Sequence, residues 1–138
     1  MNTEYRKWLG EISKLVGTYK PIRETGSPAE IQELRDSLSE ALFYFGPVQA
    51  QLRANAERAE AEYKSCLKEK TLYWKEKFSS KRGTADMVEA QAVLECKELQ
   101  DDLISANEDF YLAKSLLERS DQILNSVSSR LKLVTKHE

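Results

Sequence analysis

Apolar residues recur in steps of three and four along nearly the whole chain, a periodicity that predicts helices throughout. Tyr5, Trp8, Leu9, Ile12, Leu15, Val16 and Tyr19 form the stripe of a first amphipathic helix, expected to end near Gly17 or before Pro21. Lys20 to Gly26 reads as a linker. Ser27-Pro28-Ala29-Glu30 then supplies an N-cap Ser, a Pro at the first helical position and a Glu placed to close a capping box. Ile31, Leu34, Leu38, Ala41 and Leu42 line one face of this second helix. After Phe43-Tyr44-Phe45, the pair Gly46-Pro47 predicts a kink or short turn.

A third helix is expected from Val48 to about Phe78, with Leu52, Ala56, Ala59, Tyr63 and Cys66 in alternating steps of four and three. Ser79 to Gly83 reads as a turn, and Thr84 as the N-cap of a fourth helix of about fifty residues, roughly 75 Å long. Its seam runs through Ala92, Cys96, Leu99, Leu103, Ala106, Phe110, Ala113, Leu117, Ser120, Leu124, Val127, Leu131 and Val134. So short a turn predicts an antiparallel pairing of the third and fourth helices, with Phe78 near Met87 and Leu52 near Phe110. The expected fold is therefore all-α: a long, coiled-coil-like antiparallel hairpin over residues 47–138, preceded by two shorter amphipathic helices over residues 1–46. The long seam exceeds what the third helix can cover, and self-association through Leu103, Phe110, Leu116, Leu117, Ile123, Leu124, Val127 and Leu131 is expected to cover the excess.

Composition narrows the function classes. The 138 residues suit one domain, and 32% charged residues with five Gly and three Pro suit long helices. A formal net charge of −2 excludes a global polycation, so any nucleic-acid signal must be local. The N-terminus is amphipathic and no stretch reaches the ~18 apolar residues of a membrane span, so neither secretion nor membrane insertion is expected, and the reading is cytoplasmic. Cys66 and Cys96 lack the spacing of a zinc site or disulfide framework and read as reduced core thiols. The sole histidine, His137, reads as a solvated tail residue. Asp101, Asp102, Glu108 and Asp109 lack a partnering Glu-x-x-His pair and read as a solvated helix face. With no phosphate-binding loop either, no cofactor, metal or catalytic role is expected.

One segment stands apart. From Lys64 to Gly83, Lys64, Lys68, Lys70, Lys75, Lys77, Lys81 and Arg82 face only Glu69 and Glu76, and Tyr73, Trp74 and Phe78 lie among them. Cations that neutralise phosphates, interleaved with rings on which bases stack, are what sequence-tolerant binding of a single strand requires. The following stretch to Phe110 is acidic, with Lys97 alone opposing its carboxylates. The competing reading is a hairpin whose basic and acidic arms complement each other, making the chain a helical protein–protein adaptor or inhibitor.

Leu67-Lys68-Glu69-Lys70-Thr71-Leu72-Tyr73-Trp74 resembles the central helix of UvsY-type phage recombination mediators, in which Leu-Lys-x-Arg is followed by two adjacent aromatics. Lys70 stands where that pattern has Arg. Lys81-Arg82-Gly83 is similar to a basic, glycine-containing turn of the family, and Val93-Leu94 and Ser129-Arg130-Leu131-Lys132 to its last long helix. The resemblance covers the C-terminal half. It implies a homo-oligomeric single-stranded DNA-binding protein in a bacterial host, with Lys68 and Lys70 as the contacting pair. Its implied partners are a RecA-like recombinase and a single-strand-binding protein.

Overall fold

The computed structural model describes residues 3–78 and 84–136, and among these every regular element is a helix. α1 spans Thr3–Thr25, α2 Pro28–Lys77, α3 Thr84–Glu95 and α4 Lys97–Lys136. The predicted capping box forms: the Glu30 N–H donates to Ser27 Oγ at 3.3 Å and the Ser27 N–H to Glu30 Oε1 at 3.4 Å. Just before it, the Gly26 N–H donates to the Ile22 carbonyl at 2.8 Å, and a Cβ at Gly26 would collide with that carbonyl. Glycine there ends α1 and lets the chain reverse.

Two expected breaks are absent. α1 continues through Gly17 and Pro21 to Thr25, and α2 runs unbroken for 50 residues through Gly46-Pro47. A proline inside a helix removes one backbone hydrogen bond, but burial on both sides of it outweighs that local cost. Around Pro47, Ala41, Phe45, Val48 and Leu52 are all buried at steps of four, three and four, so the apolar seam never changes phase. Around Pro21, Tyr19 hydrogen-bonds Ser126 at 2.6 Å, and the Thr25 hydroxyl donates to the Pro21 carbonyl at 2.9 Å. The boundary expected at residues 46–47 therefore falls inside one helix.

The chain forms two compact units. In one, comprising residues 1–51 and 111–138, α1, the first half of α2 and the second half of α4 pack as a three-helix bundle around Ile12, Leu38, Phe45 and Ala113, each 3% exposed or less. Ser120 is fully buried there and donates its hydroxyl to the Leu116 carbonyl at 2.7 Å, so the single polar member of the seam leaves no unsatisfied donor. The other unit, residues 52–110, is a hairpin of the rest of α2 against α3 and the start of α4. The all-α fold expected from the sequence is thus observed, and within the second unit the expected antiparallel hairpin is present.

The expected fourth helix is divided at Cys96 alone, and its i to i−4 bonding continues across the irregularity: Cys96 N–H to Ala92 O at 3.1 Å, and Gln100 N–H to Cys96 O at 3.0 Å. Cys96 and Cys66 form a disulfide with Cα atoms 6.1 Å apart, and no free cysteine remains. This corrects the reading of both as reduced thiols. A pairing of Leu52 with Phe110 places Cys66 opposite residue 96, so the antiparallel register itself juxtaposes the two sulfurs.

Candidate nucleic-acid interface

Lys64 to Lys77 lies wholly within the last turns of α2. A helix advances about 100° per residue, so this stretch presents its lysines in two directions. Lys64, Lys68 and Lys75, at spacings of four and seven, share one exposed face. Lys70, Tyr73 and Lys77, at spacings of three and four, share another. Lys68 and Lys70 are two positions apart and point roughly 160° away from each other, so they do not form a single contact patch.

The two faces differ in how their charges are used. Lys70 sits beside the hairpin partner, with Nζ 3.9 Å from Glu95 Oε2. Lys64 is paired along its own helix with Glu60 at 2.9 Å. Lys68 and Lys75 hold no ion pair among the described residues, and both are exposed. Lys77 places its ammonium 5.5 Å from the centroid of the Tyr73 ring, which is itself 48% exposed. Lys81 and Arg82 lie outside the described residues.

Trp74 is turned toward α3. Its indole N–H donates to Glu95 Oε2 at 3.0 Å, and its ring stacks on Phe78 with centroids 5.2 Å apart. Tyr73 meets Trp74 edge-on at the same separation. That indole hydrogen bond, reinforced by one from Gln91 and by the nearby Lys70 charge, holds the Glu95 carboxyl below the ordinary glutamate range, against a smaller opposing effect of desolvation. Glu95 is a residue the sequence reading passed over. It looked like one carboxylate among many on the acidic arm, and only the pairing register brings it to Trp74 and Lys70.

The expected oligomerisation residues are distributed unevenly. Ile123, Val127 and Leu131 are buried at 5%, 3% and 7% exposure within the three-helix unit of one chain. Leu103, Phe110, Leu116, Leu117 and Leu124 are half-buried. Of the residues expected to need a second copy, Ile123, Val127 and Leu131 are covered by the chain itself. No helix among the described residues is long and apolar enough to cross a membrane. No protein-family model, curated protein or solved structure matches the chain.

Proposed function

We propose that this chain is a non-catalytic single-strand-binding protein that grips a nucleic-acid backbone through the exposed lysine face of α2. The observation that carries the reading is the pair Lys68 and Lys75, which share an exposed face and have no acidic partner among the described residues. Cations already neutralised at close range contribute little to a polyanion, whereas unpaired ones release counterions when they meet phosphate. Lys64 lies on the same face but is paired with Glu60, and Tyr73 beside Lys77 offers an exposed ring near a second cation. Trp74, with one ring face against Phe78 and its N–H engaged, serves the hairpin instead.

The UvsY-type resemblance gives this reading its biological form: a mediator that helps load a RecA-like recombinase onto strands covered by single-strand-binding protein, acting as a homo-oligomer. A second reading, the protein–protein adaptor, is favoured by Glu95, which joins Trp74 and Lys70 and so uses part of the basic arm to close the hairpin.

Titration of a fluorescein-labelled oligothymidylate at rising salt separates the two. A backbone reader binds at low salt and loses affinity linearly in log–log form, by about 0.7 per phosphate contacted. Undetectable binding at low salt, or binding indifferent to salt, overturns the proposal in favour of the adaptor.

A further inference from the structure

α3 carries apolar side chains on its outer face as well as its inner one. Val88 and Ala92 point into the hairpin at 3% and 1% exposure. Met87, Ala90, Val93 and Leu94 point outward, and three of these are large side chains left 47%, 37% and 64% exposed, in the order Met87, Val93, Leu94. A surface helix ordinarily shows a polar outer face. In a two-helix hairpin only one side of α3 is covered, which leaves its outer face in need of a partner.

The shape and charge of that face specify what fits it. A shallow, open depression of ≈ 590 Å³ lies along this one helix face, over Ala90, Val93 and Leu94, and reaches Asp86, Glu89, Lys97 and Gln100. It shares Glu89 and Val93 with a groove of ≈ 430 Å³ that passes over Val88 and Ala92 to α2. From Asp86 to Gln100 the depression follows about four helical turns, or roughly 20 Å, the length of one docked helix rather than of a small molecule. α3 contains Asp86, Glu89 and Glu95 and no lysine or arginine. Lys97, toward the far end, is the one cation on this face among the described residues.

We infer that the outer face of α3 is a docking face for an amphipathic helix of another protein, one whose apolar stripe is bordered by lysine or arginine. The apolar stripe lies over Ala90, Val93 and Leu94, and the cations meet Asp86 and Glu89. The carboxylates also disfavour an anionic lipid surface, and Lys68 and Lys75 lie on a different helix, although Lys75 lines the adjoining groove together with Glu89.

The test uses the full, disulfide-bonded chain and two designed helical peptides with the same leucine stripe, one bordered by lysine and arginine and the other by glutamate. Fluorescence anisotropy should show the basic peptide binding at least about tenfold more tightly. Leu94→Ser should weaken it by roughly tenfold, the loss expected for one apolar anchor. Asp86→Lys with Glu89→Lys should invert the preference between peptides without altering the apolar side chains. Because all three side chains are exposed, circular dichroism should not change. Equal binding of the two peptides, or binding of neither, overturns the inference. So does a fall in sedimenting mass on Leu94→Ser, which assigns the face to a second copy of the chain.

Discussion

The Trp74 indole N–H donates to Glu95 Oε2 at 3.0 Å, and the same oxygen lies 3.9 Å from Lys70 Nζ, so one carboxylate on α3 ties down an aromatic and a cation of α2. Glu95 is lowered from the ordinary glutamate value, chiefly by the indole bond. A carboxyl whose folded-state pKa is depressed contributes stability above its unfolded value and loses it as pH falls through the folded value. The Trp74 indole N–H resonance should therefore move on acidification with a midpoint below the ordinary glutamate range. In Glu95→Gln, where the acceptor survives without its charge, that titration should vanish. A wild-type midpoint at or above the ordinary value would remove the bond from the solution structure.

The Cys66–Cys96 bridge closes a loop with a sequence separation of 30. Restricting the unfolded chain by a loop of that size is worth about 3–4 kcal/mol in the chain-entropy treatment. Reduction, or Cys66→Ser with Cys96→Ser, should lower the denaturation midpoint accordingly while leaving helix content in place. Thiol titration of the denatured, unreduced protein should count none. Two reactive thiols in protein never exposed to reductant would restore the reading of both cysteines as reduced.

Those two relationships mark where the sequence speaks and where it falls silent. The fold class, the capping box at Ser27 and the antiparallel pairing all follow from local period and spacing. The continuity of α2 was also present in the pattern, because Phe45 and Val48 bridge Ala41 to Leu52 without a change of phase; reading Gly46-Pro47 as punctuation gave a local rule precedence over a longer one. The expected pairing of Leu52 with Phe110 likewise brings Cys66 near Cys96, but it does not imply the bond between them. The split of the lysines between two faces follows from helix geometry alone. The selection of Glu95 from a run of similar carboxylates does not, since it depends on the side-chain geometry between two arms.

Burial of Ile123 at 5% exposure, inside a unit that one chain completes, changes what a charge there should do. Ile123→Lys should not merely dissociate an assembly. It places an unpaired ammonium in an apolar core, at a cost of several kcal/mol, and should abolish much of the helical signal at any protein concentration. Circular dichroism with sedimentation checks this. A variant that keeps its helicity and only loses mass would make this face an interface between copies.

The final prediction separates the two lysine faces. Lys68→Ala with Lys75→Ala removes two exposed cations that hold no ion pair among the described residues, and alanine favours the helix, so helicity and thermal midpoint should stay near wild type. If both meet phosphate, the log–log salt slope for a single strand should become shallower by about 1.4. Tyr73→Leu should reduce affinity while leaving the slope almost unchanged, because a stacked ring releases no counterions. Lys70→Ala should behave differently from all of these. Its ammonium lies beside Glu95, so its loss should raise the Glu95 pKa toward the ordinary value and change the salt slope little. A Lys70→Ala slope change as large as that of Lys68→Ala would show that the strand follows the hairpin seam, and the assignment to the Lys64, Lys68 and Lys75 face would have to be given up.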